Sequence, residues 1–344
     1  MNDEQWMMIA LAQAKHGIGK TAPNPPVGAV IVKDETLLGS GWHRKAGMPH
    51  AEREAIADAV ARSGAQSLVD STAYVTLEPC STHGRTPPCV QGLIDAGITR
   101  VVYACEDPNP KHAGRADILL ANHGIEVVKG ICREAAEKIL RPFAKVQRTG
   151  LPWVILKTAM SLDGRITRPA GESQWLTGES SRRDVQSLRA EVDLIMTSGE
   201  TVRRDMPALT IRILELLEGR EQPWRLVLSH HADSLPKDAP LFTDPFAHRT
   251  LVRSGDIAGI LREIVRDMGI LSVLVEAGGK LANDLIQQDL VDEMVCYLAP
   301  MITGGLPAVA GDGFATKNLT EIEWSVIDQD VKFRGLFRAE AEPR

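Results

Sequence analysis

Pro49-His50-Ala51-Glu52-Arg53-Glu54-Ala55-Ile56, with Thr76-Leu77-Glu78-Pro79-Cys80 and then Cys89 downstream, decides how the N-terminal half is read. It offers one imidazole and two thiols to a metal, and a carboxylate two residues from the imidazole. A catalytic zinc commonly takes three protein ligands and keeps its fourth position for water. Bound zinc lowers the pKa of that water from about 15.7 to roughly 7. Deamination also needs protons carried to the ring and the departing amine, and Glu52, a carboxylate outside the ligand set, suits that task. His-x-Glu followed by Pro-Cys is the pattern of zinc base deaminases. The usual second half is Pro-Cys-x-x-Cys, but here eight residues, Ser81 to Pro88, separate Cys80 from Cys89. Pro87 and Pro88 stiffen the end of that loop and suit a helix start at Cys89.

A structural zinc site is the bland alternative. It normally closes with four ligands, and His83 could supply the fourth. Glu52 alone could be a surface residue near a helix start; its place inside His-Ala-Glu favours a catalytic role.

The chain has 344 residues, which suits two domains, expected here as residues 1–146 and 147–344. Hydrophobic residues make up 44%, ordinary for a globular protein, and the formal charge is −6. Broad electrostatic attraction to nucleic acid is therefore not expected, and a small substrate is favoured. No apolar run approaches the ~18 residues of a membrane span. The start, Met-Asn-Asp-Glu-Gln, lacks a basic region ahead of an apolar stretch. Of five cysteines, Cys105, Cys132 and Cys296 sit among apolar neighbours and read as reduced core residues, so a cytoplasmic location is expected.

Apolar positions from Trp6 to Lys15 recur at helical spacing, and Val27 to Val32 is a β-branched run that reads as a buried strand. Ala51 to Ala61 and Cys89 to Ala96 read as helices, and Ala73 to Leu77 and Arg100 to Ala104 as strands. A further helix is expected from Cys132 to Phe143, and Trp153 to Lys157 starts a fresh strand after Arg148-Thr149-Gly150-Leu151-Pro152. The second half adds strands at Val192–Met196, Trp224–Leu228, Leu271–Glu276 and Met294–Leu298. Its helices are expected at Glu179–Glu191, capped by Ser180 or Thr177, at Ile257–Asp267 and at Gly279–Gln288. Strands alternating with helices predict α/β layers in both halves.

These motifs resemble those of the RibD family of bifunctional riboflavin-biosynthesis enzymes. The residues that carry the likeness are Pro23-Asn24-Pro25-Pro26-Val27-Gly28, Gly41-Trp42-His43, Pro49-His50-Ala51-Glu52, Thr76 to Cys80, Gly84-Arg85-Thr86-Pro87-Pro88-Cys89 and Asp107-Pro108-Asn109-Pro110. The long spacing between the cysteines is the one this family uses. The resemblance implies an N-terminal cytidine-deaminase-like α/β/α domain and a C-terminal dihydrofolate-reductase-like α/β domain. It implies two reactions: hydrolytic loss of the 2-amino group of a diaminopyrimidine ribotide, then NADPH-dependent reduction of its ribosyl group to ribityl. It assigns zinc to His50, Cys80 and Cys89, proton transfer to Glu52, and substrate contacts to Asn24, His43, Arg85, Asp107 and Asn109. The family usually continues the first cysteine as Cys-Ser-His; here Thr82 takes the histidine's place and His83 follows.

In the second half, Leu156-Lys157-Thr158-Ala159-Met160-Ser161-Leu162-Asp163-Gly164 is a strand with a turn, and Val273 to Leu281 is a strand, a glycine turn and a helix start. Backbone N–H groups at such a start can bind phosphate, although a lone Gly-Gly also reads as a mere turn. The resemblance assigns NADPH to Ala159, Trp175, Thr201, Asp205 and the run Gly278, Gly279, Lys280, Leu281, Ala282, Asn283 and Asp284. It assigns the reductase substrate to Ser173, Arg189, Leu209, Arg212 and Glu276, with Arg189 and Arg212 clamping the ribose phosphate and Lys157 near the opened sugar. Met206 stands where the family usually has a second acidic residue before Pro207. His230, His231, Arg203 and Arg204 read as surface residues that could also lie near a cofactor. Two other classes compete: a nucleic-acid-editing zinc deaminase with an appended recognition domain, and a non-catalytic zinc module fused to a binding domain. Partners are expected to be small phosphoribosylaminopyrimidines, with neither nucleic acid nor membrane; the sequence leaves the oligomeric state open between a single chain and a homo-oligomer.

Overall fold

The computed structural model describes residues 1–82, 88–109, 112–311 and 313–338. The chain forms two compact units, Met1–Gly150 and Leu151–Arg344. The break follows the expected 146/147 boundary by four residues because the last helix of the first unit continues to Thr149. Gly150, in the left-handed region, closes that helix by donating its N–H to Val146.

The first unit runs α1 (Asp3–Lys15), β1 (Gly28–Lys33), β2 (Thr36–Trp42), α2 (Ala51–Ser63), β3 (Thr72–Leu77), α3 (Cys89–Asp95), β4 (Arg100–Cys105), α4 (Arg115–Asn122), β5 (Glu126–Lys129) and α5 (Arg133–Thr149). Its sheet has the order β2-β1-β3-β4-β5. β1 is antiparallel to β2 and β3, while β3, β4 and β5 are parallel. The parallel strands β3 and β4 are buried nearly throughout, as apolar runs covered on both faces must be. One face packs Val75 and Val101 against Ala51, Ala55 and Ala59 of α2; the other packs Val30 and Val102 against Trp6, Met7 and Leu11 of α1 and Leu140 of α5. The alanine face of α2 lies very close to β2. A Cβ at Gly39 would stand 2.4 Å from the carbonyl oxygen of Ala55, and one at Gly41 2.5 Å from its nitrogen. Bulk at either glycine would lift the helix that begins at His50.

The second unit runs β6 (Trp153–Ser161), α6 (Glu179–Ala190), β7 (Leu194–Ser198), α7 (Gly199–Asp205), β8 (Trp224–Leu228), α8 (Pro240–Thr243), β9 (Thr250–Arg253), α9 (Ile257–Met268), β10 (Ser272–Glu276), α10 (Gly279–Gln287), β11 (Glu293–Ala299), β12 (Leu319–Ile327) and β13 (Asp330–Phe337). The sheet order is β12-β13-β11-β6-β10-β7-β8-β9. From β11 to β9 every neighbouring pair is parallel, and β13 and β12 complete one edge antiparallel. In register, Lys157 of β6 stands beside Glu276 of β10. The start of α6 is held by neither Ser180 nor Thr177. Asp330 accepts from the N–H of Gly178 and from the Ser181 hydroxyl, so the cap comes from a distant strand.

All five cysteines are free. Cys105 and Cys296 are buried as expected, whereas Cys132 is only part-buried because it lies at the open N-terminus of α5. Among the described residues, no helix is long and apolar enough to cross a membrane.

Candidate active sites

His50 is the N-cap residue of α2, in extended conformation, and its side chain makes no capping bond. The ring is therefore left to face the thiols delivered just past β3 and at the first turn of α3. Nδ1 of His50 lies 3.5 Å from Sγ of Cys80 and 3.4 Å from Sγ of Cys89, and the three donor atoms lie within 4.8 Å of one another. Tetrahedral zinc with ordinary bond lengths separates a nitrogen and a sulfur ligand by about 3.6 Å. The donor set and its spacing fit zinc. Among the described residues, this is the one His/Cys/Asp/Glu cluster able to hold an ion, and it contains no fourth protein ligand. His83, once a candidate for that place, lies outside the described residues.

The thiol of Cys80 is held well below its ordinary pKa. Hydrogen bonding from Cys89 is the main cause, opposed by burial and helped by His50 and the Cys89 backbone N–H, which donates to Sγ at 3.3 Å. Cys80 thus presents a thiolate to a cation. Glu52, 3% exposed, sits in the first turn of α2. Burial, then the charge of Cys80, pushes its carboxyl up to about 7. A carboxyl poised near neutrality can both accept and deliver a proton.

His43 is buried beside His50, with ring centroids 5.2 Å apart. Its Nδ1 lies 3.0 Å from the carbonyl oxygen of Pro49, which can only accept, so Nδ1 carries the proton. Nε2 is then an acceptor, and Nδ2 of Asn24 donates to it at 3.0 Å. That pairing fixes the flip of the Asn24 amide and leaves its oxygen as the acceptor toward the site.

Glu78 stands inside the quoted Thr76–Cys80 motif, but the sequence assigned it no role. Buried two residues before Cys80, it accepts from the backbone N–H groups of Asp107 (3.2 Å), Gly114 (3.0 Å) and Ala116 (3.1 Å). It therefore ties the segment after β4, which holds Asp107 and Asn109, to the strand end that delivers Cys80. Asp107 in turn accepts from the Asn109 N–H at 2.8 Å. Arg85 lies outside the described residues.

The second unit holds a cavity of about 1580 Å³. That exceeds the roughly 300–1,000 Å³ of a drug-sized pocket and suits a dinucleotide together with a ribotide. Lys157, Ala159, Ser173, Trp175, Arg189, Thr201, Asp205, Leu209, Arg212, Glu276, Gly278, Gly279, Lys280, Leu281 and Asp284 all line it. Ala282 and Asn283, expected at the cofactor, do not: both are buried on the inner side of α10. Ala282 lies on the opposite side of α10 from Lys280 and Asp284, and the Asn283 amide packs against Gly311.

Trp175 is 49% exposed, with the Arg182 guanidinium 5.0 Å from its ring centroid. Arg182 also lines the cavity, and its sequence context, one of three arginines on a helix, carried no signal. His230, His231, Arg203 and Arg204 reach the rim; both arginines pair there with Glu200.

At the floor, Arg189 donates from Nε and Nη2 to the two carboxylate oxygens of Glu276 at 2.6 and 3.1 Å, and from Nη1 to the carbonyl of Thr210 at 2.8 Å. Nζ of Lys157 lies 3.8 Å from Glu276. Burial would raise the Glu276 carboxyl, but Arg189 and Lys157 hold it below its ordinary range. Burial lowers the Lys157 ammonium, and Glu276 works against that shift. Leu209, buried with φ +51°, is held in the left-handed region between these anchored segments.

Comparison with known proteins bears on both units. Residues 1–105 match the cytidine and deoxycytidylate deaminase zinc-binding region, and residues 152–333 match the RibD C-terminal domain. The chain is 42% identical over 333 residues to the riboflavin biosynthesis protein RibD of Escherichia coli K12, covering 88% of this chain and 89% of that one. It is similar to a solved structure of Acinetobacter baumannii RibD, with TM-score 0.90, 38% identity, and 98% and 99% of the two chains covered. A Thermotoga maritima structure described as a diaminohydroxyphosphoribosylaminopyrimidine deaminase/5-amino-6-(5-phosphoribosylamino)uracil reductase aligns with TM-score 0.86 at 32% identity, again over 98% and 99% of the chains. A reductase half of this kind has no place in a nucleic-acid editor or a non-catalytic zinc module. The chain belongs to the RibD family of bifunctional riboflavin-biosynthesis enzymes, with a zinc-dependent deaminase domain and an NADPH-dependent reductase domain.

Proposed function

We propose that the unit ending at Gly150 deaminates 2,5-diamino-6-(5-phosphoribosylamino)pyrimidin-4(3H)-one, and that the following unit reduces the ribosyl group of the resulting 5-amino-6-(5-phosphoribosylamino)uracil, the two activities named for the Thermotoga relative. The observation that carries the reading is the three-donor cluster beside a buried Glu52, with no fourth protein ligand among the described residues. Zinc, held by His50, Cys80 and Cys89, supplies water activation near neutral pH. Glu52 takes the proton of the water that adds at the amino-bearing carbon and returns protons to the ring nitrogen and the leaving amine. The Asn24 oxygen accepts from a pyrimidine N–H, with His43 fixing the amide. Asp107 and Asn109, and Arg85 beyond the described residues, hold the rest of the substrate.

In the reductase cavity NADPH supplies hydride when bound. Ala159, Trp175, Thr201, Asp205 and the start of α10 line its place, and the Gly278 position opens to free space where a phosphate can approach the helix N-terminus. Ser173, Leu209 and Arg212 line the substrate side. Arg189, engaged by Glu276 and Thr210, shares the phosphate with Arg212 through its remaining N–H groups. Lys157 donates a proton toward the opened sugar. The substrates are small, the enzyme is cytoplasmic, and the chain self-associates; Ile322, Trp324 and Val326, exposed at alternate positions of edge strand β12, support the last point.

The test is to incubate the enzyme with the diaminopyrimidine ribotide and NADPH and follow both ammonia and nicotinamide absorbance. Release of ammonia with stoichiometric NADPH consumption is expected; absence of both sinks the reading. Cys80→Ala should reduce bound zinc from about one per chain to a small fraction and abolish ammonia release, while NADPH binding is unaffected. Metal analysis and an NADPH titration read the two effects. In Gly279→Ala the new Cβ would lie 2.4 Å from the Pro307 carbonyl oxygen and 3.1 Å from Ala310. The start of α10 must shift, so NADPH affinity should fall by about tenfold or more, ~1.4 kcal/mol. Unchanged NADPH binding in a titration would separate this helix start from the cofactor.

A further inference from the structure

We propose that His112 is a substrate-binding residue of the deaminase site, donating from Nε2 to an oxygen of the ribose-phosphate arm. This rests on the deaminase reading above and names the contact that holds the part of the substrate outside the pyrimidine ring.

His112 follows Asp107 and Asn109 on the segment that Glu78 ties to the end of β3. Its backbone N–H donates to the carbonyl of Asn109 at 2.9 Å, so the ring's position is set by the same turn that sets both neighbours. Nδ1 lies 3.4 Å from Oγ1 of Thr82, two residues beyond Cys80. With the Thr82 hydroxyl donating to Nδ1, the ring keeps its proton on Nε2. Nε2 has no hydrogen-bond partner among the described residues, and the side chain is half-buried. Burial raises the Asp107 carboxyl, and the Asn109 N–H and then the nearby His112 imidazole pull against that shift.

A free N–H donor there meets ligand oxygens. The pyrimidine must lie against the zinc ligands and Glu52, and the rest of the ribotide is a phosphorylated, hydroxylated chain made of acceptors. Thr82 occupies the place where the resemblance puts a histidine. His112 brings an imidazole to that place from the neighbouring loop.

The experiment is steady-state deamination of the diaminopyrimidine ribotide by the zinc-loaded full chain. His112→Ala should raise the deaminase KM about tenfold, ~1.4 kcal/mol, with kcat within about twofold. His112→Gln, whose amide nitrogen can stand near Nε2, should recover part of the loss. The double variant Thr82→His with His112→Ala should return KM to within about threefold of the unsubstituted enzyme. Zinc content and NADPH-dependent reduction report folding throughout. Wild-type KM in His112→Ala overturns the inference, as does a fall in kcat with KM unchanged, or failure of both the glutamine and the relocated histidine to recover affinity. If the unsubstituted enzyme releases no ammonia from the ribotide, the parent reading fails and this one with it.

Discussion

In Glu52→Gln, deamination falls by about 10²–10⁴-fold while reduction of substrate that is already deaminated proceeds at the wild-type rate. The loss corresponds to about 2.7–5.4 kcal/mol of transition-state stabilisation. Glutamine keeps the shape of the buried side chain, so α2 and the neighbouring His50 stay in place. What it lacks is a site that gains and releases a proton. The wild-type carboxyl is suited to both because burial, with the Cys80 charge behind it, carries it to about 7. A bound dication nearby pulls in the other direction and favours the ionised, proton-accepting form. The measurement is ammonia release at saturating substrate, with zinc content determined on the same sample. Retention of more than about a tenth of the wild-type rate with zinc bound would remove Glu52 from the proton path. A loss accompanied by zinc depletion would instead make it a positioning residue for the ligands.

The zinc ligands and Glu52 were legible because the chain spells them locally. His50 and Glu52 share one helix start, Cys80 follows the end of one strand by three residues, and Cys89 begins the next helix. The strand that leads to Cys80 is short, buried nearly throughout and rich in β-branched and aromatic residues, which favours a strand over a helix. β2 was harder to read: Thr36–Trp42 holds two glycines, residues that local propensity counts against a strand. They are present because α2 needs their missing side chains, a tertiary demand invisible from the strand itself. Glu78 and His112 were illegible for the same reason. The bonds of Glu78 reach 29–38 residues along the chain, and those of His112 reach 30 residues back to Thr82. In the reductase half, residues assigned by resemblance line one cavity, except Ala282 and Asn283, which are buried within the contiguous run at the start of α10.

The second large effect is expected in the floor of that cavity. Glu276→Ala should destabilise the second unit by about 3–5 kcal/mol and abolish NADPH-dependent reduction. Two cations depend on this carboxylate: the fork of Arg189, which meets both its oxygens, and Lys157, in register on the adjacent strand. All three side chains are 11–17% exposed, too little for water to replace the lost partner. Without Glu276 the two positive charges repel each other at close range, and Lys157 loses the interaction that opposes its deprotonation. Arg189 would also be freed to swing, releasing the Thr210 carbonyl that fixes the segment carrying Leu209 and Arg212. Stability and chemistry therefore fail together, and a softer substitution is needed to separate them. Glu276→Gln keeps an acceptor for Arg189 but not the charge that holds Lys157 protonated. It should retain most of the thermal stability and NADPH binding while reduction falls by at least tenfold. Calorimetry, an NADPH titration and the reduction rate give the three readouts, with deamination as the control for an intact first unit. If Glu276→Gln reduces substrate at the wild-type rate, the carboxylate is a structural counter-ion and Lys157 does not depend on it for proton donation.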